Sequence, residues 1–397
     1  MVHIVIQQAS SIMFILLQFV PLLFLSLLWS SFTANLKTII AFILALSLGG
    51  TYTAFYLNGE DWVNYYVNFF THDGTAWFEP GFYLFYSCLS LLSYGNFGVA
   101  TLLFFLLAFF ILTKYLVENR DCNLPFFLLL LIVCFGNTLL LEQLRQFFSA
   151  IFALCALIFR LNLKRKQSNI FLLLAISFHA SAIIVACAFI LASIKSSKLF
   201  IIISISMTFF LLLLLTNDSL VNIGVQILPA IFLKIKTYRE ITDLSFHVGP
   251  SLLFSIIYIL YQFTRFKKLH YSNEYSVVFF NRQLFFGGLV FLVGIFIPFM
   301  SRMSSFFIIF LFYDVAINNY FKHFMINKKA VLKFIFVLMF SFFSMASYFK
   351  NDIAPVSFNN LNFNLISFVS NDINYDSLVY ETYFKNALAT SELISDK

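Results

Sequence analysis

Long apolar stretches separated by short polar clusters run along nearly the whole chain, and this pattern predicts a helical membrane protein. Each stretch holds roughly 20 residues, the length an α-helix needs to cross the ~30 Å hydrocarbon core of a bilayer. We predict an all-α polytopic membrane protein with spanning helices near residues 11–30, 38–57, 97–117, 124–141, 143–162, 198–216, 249–264, 278–300, 303–321 and 334–349.

Two further apolar stretches fit a single crossing poorly, because 80–95 is short and 168–194 is long with His179 at its middle. If both stretches dip into the bilayer and return, every later basic cluster falls on one side, as the positive-inside rule requires. These clusters are Lys164–Lys166, Lys195 with Lys198, Arg265–Lys268, and Lys328 and Lys329 with Lys333. A re-entrant segment needs protein or a wet cavity over its backbone. The alternative is twelve full crossings with a weaker charge bias, so we expect roughly 10–12 membrane helices.

Composition excludes a soluble protein. Apolar residues make up 61% of the 397 residues, charged residues only 11%, and the mean hydropathy is +0.90. A soluble domain carries about 25% charged residues. The net charge of +7 comes from clusters between apolar stretches, which indicates a bilayer and no nucleic-acid partner. The five cysteines form no CxxC pair, so neither a disulfide framework nor a zinc site is expected.

Re-entry of both stretches places certain polar elements together on the outer side of the membrane. These are the loop 58–79, the turn with Glu142 and Arg145, the loop 217–248, Arg302 and the tail after 350. We predict one polytopic transmembrane domain over 1–350, with outer loops 58–79 and 217–248, and a polar tail over 351–397. Loop 217–248 is long enough to act as a lid or to contact a substrate. Loop 58–79 is acidic. Three of its residues could act as a base or contact a sugar, namely Asp61, His72 and Asp73.

Glu142 and Arg145 are three residues apart, so on a helix they share one face, to which Gln146 also belongs. A charge at membrane depth is costly and usually has a partner or a wet cavity. One interpretation is an arginine held by a carboxylate and aimed at a phosphate or sugar oxygen. The other is an ion pair that only stabilises the fold.

His179 and Arg302 are the other isolated polar residues between apolar stretches. A neutral imidazole near pH 7 can act as a base or hydrogen-bond a phosphate, although a core histidine bonded to a neighbour is the simpler interpretation. A guanidinium binds phosphate in a fork that an ammonium group cannot match. The simpler interpretation of Arg302 is an arginine that extends to the membrane interface.

The segment Trp77–Tyr83 combines aromatic residues with Glu79 and Pro80. Proline suits the first turn of a helix, and a carboxylate just before it suits the helix dipole. Beyond this helix-start chemistry, the segment could place a carboxylate at the mouth of a cavity beside aromatic rings that stack on sugars. No P-loop, GxGxxG, GxSxG or HExxH motif is present, so the substrate must carry its own activation.

The order of these elements resembles the EpsG family of Wzy-type polysaccharide polymerases over roughly residues 40–350. The most specific parts are Glu142 with Arg145 and Gln146, and then Phe178 with His179 and Ser181. The matching positions are Glu79, Glu142, Arg145, His179 and Arg302. The family often has a Tyr-Phe pair after the late arginine, where this chain has Phe306-Phe307.

The resemblance implies an enzyme that joins oligosaccharide repeat units carried on undecaprenyl diphosphate. It implies a GT-C-like fold in the bacterial inner membrane, a site facing the periplasm or outside, and a product that is O-antigen, capsule or exopolysaccharide. A chain-length regulator is a candidate partner. We expect Arg145 and Arg302 at the diphosphate. The base is expected among Glu142, His179 and Asp61, and sugar contacts from Glu79, His72, Asp73 and Gln146.

Direct attack on the lipid-linked donor would invert the anomeric centre, and nothing in the sequence requires a metal or a cofactor. Three alternatives stay open. A flippase for the same lipid-linked unit would be expected to show internal repeats, which the sequence lacks. An O-antigen-type ligase shares the donor and differs only in the acceptor. A non-catalytic scaffold of the export machinery would tolerate loss of Arg145 and Arg302.

Overall fold

The computed structural model describes residues 18–58, 61–71, 78–118, 122–136, 138–227, 275–296 and 301–317, together with the single residues 236, 256, 259 and 370. Throughout these ranges the regular structure is helical, which confirms the all-α prediction. The helices are α1 (Gln18–Ser31), α2 (Ala34–Phe55), α3 (Trp62–Thr71), α4 (Pro80–Leu92), α5 (Phe97–Glu118), α6 (Leu124–Phe135), α7 (Leu144–Leu161), α8 (Arg165–Phe178), α9 (Ile183–Ala192), α10 (Ser197–Thr216), α11 (Asp218–Ile227), α12 (Tyr275–Phe296) and α13 (Ser301–Ile317).

Among the described helices, α2, α5, α7 and α12 are long and apolar enough to cross a membrane, which confirms a polytopic membrane protein. The predicted span 334–349 lies outside the described residues. So do 249–264, apart from the single residues 256 and 259, and nearly all of the tail 351–397. The predicted loop 217–248 begins with the helix α11, and most of its remainder is also outside the description.

The chain divides into two compact units that interleave in sequence. The first unit comprises Met1–Ile151, Ser177–His179 and Phe312–Lys397. The second comprises Phe152–Ile176 and Ala180–Leu311. The expected division into one domain over 1–350 and a tail stays a prediction.

In the first unit, α2 and α5 form an antiparallel pair. Phe42 packs against Phe110, while Tyr56, just after α2, packs against Phe97 at the start of α5. The chain between the two helices, which includes 80–95, therefore leaves and returns at one end of the pair. Within it, α4 has 13 residues and is about 20 Å long, too short for a ~30 Å bilayer core. This arrangement agrees with re-entry and disagrees with a full crossing.

In the second unit, α8 runs antiparallel to α7, and α9 then brings the chain back to the carboxyl-terminal end of α7. The hydroxyl of Ser168 on α8 donates to the carbonyl of Ala156 on α7 at 2.8 Å. Ser193, directly after α9, accepts a hydrogen bond of 3.1 Å from Arg160 in the last turn of α7. Both ends of 168–194 therefore lie beside the same end of α7, as the re-entrant interpretation requires.

The predicted span 124–141 is wrong at its carboxyl end. Helix α6 stops at Phe135 after 12 residues, and the chain then forms a turn in which the backbone N–H of Glu142 donates to the carbonyl of Thr138. Gly136 is the C-cap residue and keeps a right-handed helical backbone, with φ −58° and ψ −37°. The apolar residues of the turn are buried, and hydropathy alone does not distinguish a buried turn from a continuing helix.

Candidate functional site

An ion pair joins the start of α4 to the first turn of α7 in the first unit. Nη1 of Arg145 lies 2.8 Å from Oε2 of Glu79, and the two side chains are only 19% and 17% exposed. The Arg145 guanidinium also lies over the ring of Phe78, with Cζ 4.7 Å from the ring centroid. A cation over an aromatic face is stabilised by the ring quadrupole. Both charges are therefore compensated at a place where water is largely excluded.

The local sequence accounts for the position of Glu79. Pro80 occupies the first helical position of α4, which suits its fixed φ and missing N–H. Glu79 is therefore the N-cap residue, with an extended backbone and no hydrogen bond from its side chain to its own helix. Its carboxylate reaches Arg145 instead.

Arg145 occupies an unusual position for a cation. It is the second residue of α7, and the helix macrodipole favours negative charge at this end. No acidic residue lies in the first turn of α7. The guanidinium and the backbone N–H groups of the helix start therefore attract an anion together, which is the arrangement that phosphate groups find at helix N-termini.

Tyr65 on α3 is a third member of the site. Arg145 donates a hydrogen bond to its hydroxyl, and its ring stacks on Phe78 with centroids 5.6 Å apart. Its backbone carbonyl accepts a hydrogen bond of 3.3 Å from the hydroxyl of Tyr86. Burial raises the pKa of the Tyr65 hydroxyl, while the charge of Arg145 acts in the opposite direction. The hydroxyl is therefore neutral at physiological pH and holds Arg145 in place.

The sequence of α3 carries the pattern of an amphipathic helix. Trp62, Tyr65, Tyr66 and Phe69 follow the three- and four-residue spacing of one helical face. Three of them, all except Tyr66, are buried in the structure. The acidic residues around them led to the prediction of a loop over 58–79, whereas part of that segment is the amphipathic helix α3.

The expectation that Glu142 and Arg145 share a helical face is wrong. Helix α7 begins at Leu144, and Glu142 belongs to the preceding turn. The carboxylate that forms an ion pair with Arg145 is that of Glu79, from a distant part of the sequence. Gln146 lies on α7 as expected and is buried.

His179 lies at the break between α8 and a short 3-10 turn. The preceding ring, Phe178, stacks on Phe148 in the first two turns of α7, with centroids 5.5 Å apart. Gly81 faces Ser177 so closely that a Cβ at Gly81 would lie 2.4 Å from the Ser177 hydroxyl oxygen. The half-buried His179 therefore stands next to residues that pack on the starts of α4 and α7, the two helices that carry the ion pair.

The remaining predicted residues fall in different places. Asp61 directly precedes α3, and its negative charge acts on Tyr65, which places it near the site. Arg302 belongs to the second unit, where it is exposed on the first turn of α13. His72 and Asp73 lie outside the described residues. Within the described part of the chain, no group of three or more His, Cys, Asp or Glu side chains could hold a metal ion.

Comparison with known proteins now bears on this site. The model of the EpsG family matches residues 35–366, which is most of the chain. The chain belongs to the EpsG family. No curated protein and no solved structure gives a significant match. EpsG membership indicates a function of the polysaccharide-polymerase type in a membrane, and the matched range contains Glu79, Arg145, His179 and Arg302.

Proposed function

We propose that this EpsG-family protein polymerises oligosaccharide repeat units linked to undecaprenyl diphosphate, on the outer face of the bacterial inner membrane. The growing chain moves from its lipid diphosphate to the non-reducing end of the next unit. The observation that carries this proposal is Arg145, a largely buried arginine at a helix N-terminus, held by Glu79, Tyr65 and Phe78. We assign it to the diphosphate of the donor.

A departing diphosphate gains negative charge in the transition state, and donors already aimed at it lower the barrier without reorganising. A guanidinium binds phosphate oxygens through two parallel N–H groups, and the start of α7 adds its own positive potential. Glu79 and Tyr65 fix the orientation of the guanidinium before substrate arrives. Because the donor is already activated by its diphosphate, the reaction needs no nucleotide-binding fold.

The transfer is balanced without a co-reactant. A hydroxyl oxygen of the acceptor bonds to the anomeric carbon of the donor, and the bond from that carbon to the diphosphate breaks with the electron pair leaving on the diphosphate. The acceptor proton goes to a base. Direct attack inverts the anomeric centre. Glu142, His179 and Asp61 are the candidate bases, and Glu79 is assigned to positioning because its carboxylate is paired with Arg145.

We propose roles for four further residues and one partner. Arg302 is a second phosphate-binding residue, and Gln146, His72 and Asp73 contact the sugars. The position of Arg302 on the first turn of α13 resembles that of Arg145 on α7, since both lie at a helix start. A chain-length regulator is a candidate partner in the membrane.

The test is complementation of a strain that lacks this gene, with surface polysaccharide length measured on a gel. The variants are Arg145→Ala and Arg302→Ala. Arg165→Ala is the matched control, because Arg165 is the first residue of α8 and follows the end of α7 that is remote from Arg145. Membrane abundance is measured by blot. We expect the first two variants to leave single repeat units and the control to give long chains.

Two outcomes would contradict the proposal. Long chains from Arg145→Ala and Arg302→Ala would show that these arginines are not needed for the transfer. Loss of even the single repeat unit would show that flipping or ligation has failed, which would favour the flippase or the ligase.

A further inference from the structure

One end of the second unit carries a concentration of positive charge. Helix α7 ends there and α8 begins there. The chain between α9 and α10 lies beside them, because Arg160 on α7 donates to the hydroxyl of Ser193 at 3.1 Å. Six cationic residues share this end, and we call them the basic patch: Arg160, Lys164, Arg165, Lys166, Lys195 and Lys198. Arg160 is half-buried, and the other five are exposed.

The helices that form this end supply no acidic side chain to neutralise the basic patch. Helices α7 to α10 and the turns that join them contain no Asp or Glu, and neither does α12. Glu274, directly before α12, lies outside the described residues. Two of the cations rest on aromatic rings instead, with Arg160 over Phe279 at 5.4 Å. Arg165 lies over Tyr275 at 5.7 Å. A ring supports a cation without cancelling its charge, so the patch keeps a strong positive potential.

The basic patch lies at a membrane surface, because two helices long and apolar enough to cross a bilayer end beside it. Helix α7 finishes at Leu161, and α12 begins at Tyr275. The hydroxyl of Ser276 on α12 donates to the carbonyl of Leu161 at 2.8 Å, so the two helix ends meet. Positive charge at the ends of membrane helices is typical of the cytoplasmic side. The anion that meets the patch is therefore expected on that side.

Two lysines of the patch each stand at the head of an apolar strip. Each strip is one lysine followed by two apolar residues at the i+4 and i+7 positions, on the same face of the helix. The strips are Lys166, Ile170 and Leu173 on α8, and Lys198, Ile202 and Ile205 on α10. The four apolar side chains are 50–67% exposed. A cation at the membrane surface above apolar side chains matches a phospholipid, whose phosphate lies at the surface with its acyl chains beneath. A free phosphate ion or an acidic peptide would meet the cations only.

We propose that the basic patch binds the phosphate headgroups of anionic glycerophospholipids in the cytoplasmic leaflet, while their acyl chains lie along the strips of α8 and α10. Guanidinium and ammonium groups bind phosphate through charge-assisted hydrogen bonds, and basic residues beside a membrane helix add to the attraction of anionic lipids. A zwitterionic lipid carries its own cation beside the phosphate, so it binds more weakly. The patch belongs to a different unit from Arg145, and this inference does not rest on the proposed function.

The direct test is native mass spectrometry of the purified full-length protein, which measures the fraction of protein with bound lipid. The probes are phosphatidylglycerol and phosphatidylcholine with the same acyl chains. Two double variants each remove two lysines of the patch, Lys164→Gln with Lys166→Gln and Lys195→Gln with Lys198→Gln. The control, Lys37→Gln with Lys114→Gln, removes the same charge from the first unit.

We expect the wild type to prefer phosphatidylglycerol. Each patch variant should bind this lipid roughly 10- to 30-fold more weakly, because a basic residue near the membrane surface contributes about fivefold. The control should keep the wild-type affinity.

Equal binding of the two lipids by the wild type, or an unchanged affinity for phosphatidylglycerol in both patch variants, would overturn the inference. Displacement of phosphatidylglycerol by an equal concentration of glycerol phosphate would overturn it too, and would assign the patch to soluble phosphates. Displacement by oligoglutamate would assign the patch to an acidic protein segment.

A measurement on the wild type alone keeps the test valid if a patch variant fails to fold. Raising ammonium acetate from about 0.1 to about 0.5 M should weaken the binding of phosphatidylglycerol, because salt screens exposed charges. An affinity that does not change over this range would contradict binding through the patch.

Discussion

Arg145 and Glu79 are 66 residues apart in the sequence, yet Nη1 of Arg145 lies 2.8 Å from Oε2 of Glu79. The pair connects the first turn of α7 with the N-cap of α4 in a part of the molecule that is otherwise aromatic. Such a pair can stabilise the fold, bind the substrate or do both. Removing one partner of a buried pair is destabilising in any case, because it leaves an uncompensated charge.

An exchange of the two charges separates these roles. Glu79→Arg or Arg145→Glu alone should lower membrane abundance, since each variant places two like charges together. The double variant restores an attractive pair and should recover much of the abundance. The arginine at position 79 then meets the N-terminus of α4 less favourably, whereas the glutamate at position 145 meets that of α7 more favourably. We expect no polymer from the double variant. Polymerisation at the wild-type level by the exchanged pair would show that the pair is only structural.

Tyr65→Phe keeps the stacked ring and removes the hydroxyl that accepts a hydrogen bond from Arg145. Hydrogen bonds to charged groups contribute about 1.5–3 kcal/mol. We expect a lower kcat with near-normal abundance, measured with purified protein. Tyr86→Phe is the matched control, because it loses only a 3.3 Å bond to a backbone carbonyl, and it should be milder.

The pH dependence of the Tyr65→Phe variant gives a further check. Burial raises the pKa of the Tyr65 hydroxyl above its ordinary value of about 10, so the group stays neutral throughout the physiological range. The pH–rate profiles of the wild type and of Tyr65→Phe should therefore be parallel below about pH 9. A pKa near neutrality that disappears in the variant would contradict a positioning role for Tyr65.

Gly81→Ala tests the contact between α4 and the break at His179. The added Cβ would lie 2.4 Å from the Ser177 hydroxyl oxygen and 2.8 Å from the Ser177 carbonyl oxygen. Overpacking of this kind typically costs about 1–3 kcal/mol. We expect reduced thermal stability and loss of polymerisation. Adding Ser177→Gly removes the clashes with the Ser177 side chain and leaves the one with its carbonyl oxygen, so it should restore part of the activity. An unchanged Gly81→Ala enzyme would show that the break need not pack closely on α4.

Arg282, in the second unit, is a buried arginine with a different role. It donates to the carbonyls of Ala192 at 2.9 Å, Lys195 at 3.3 Å and Ile194, and to the hydroxyl of Ser197 at 3.0 Å. It therefore holds the segment between α9 and α10. Arg282→Ala should lower stability by about 3 kcal/mol or more. The molecules that remain folded should polymerise at a near-normal rate, and a specific loss of kcat would contradict this structural assignment.

The sequence was sufficient to predict the long helices. The predicted span 97–117 differs from α5 (Phe97–Glu118) by one residue at one end, and 143–162 differs from α7 (Leu144–Leu161) by one residue at each end. An uninterrupted apolar run has few alternatives in a bilayer. The re-entrant interpretation of 168–194 came from the basic clusters, and the helix does break at His179. Charge restricts topology even where hydropathy is ambiguous.

The partners within the site could not be predicted in the same way. Nearness in sequence makes Glu142 the expected partner of Arg145, but pairing over 66 residues depends on how α4 packs against α5 and α7. Tyr65 was missed because its helix lies between acidic residues and is too short to span. Such contacts depend on how the helices pack together, and this packing cannot be read directly from a single sequence.

The most direct measurement is polymerisation by the purified wild-type protein in liposomes, with undecaprenyl-diphosphate-linked repeat units as the only substrate. Arg145→Lys is assayed beside it, because lysine keeps the charge opposite Glu79 and loses the forked contact with phosphate. We expect a ladder of polymer lengths from the wild type, and from Arg145→Lys a rate lower by about 10²–10³-fold at similar abundance. A wild-type protein that forms no polymer, or an Arg145→Lys variant as fast as the wild type, would contradict the assignment of Arg145 to the diphosphate of a polymerase.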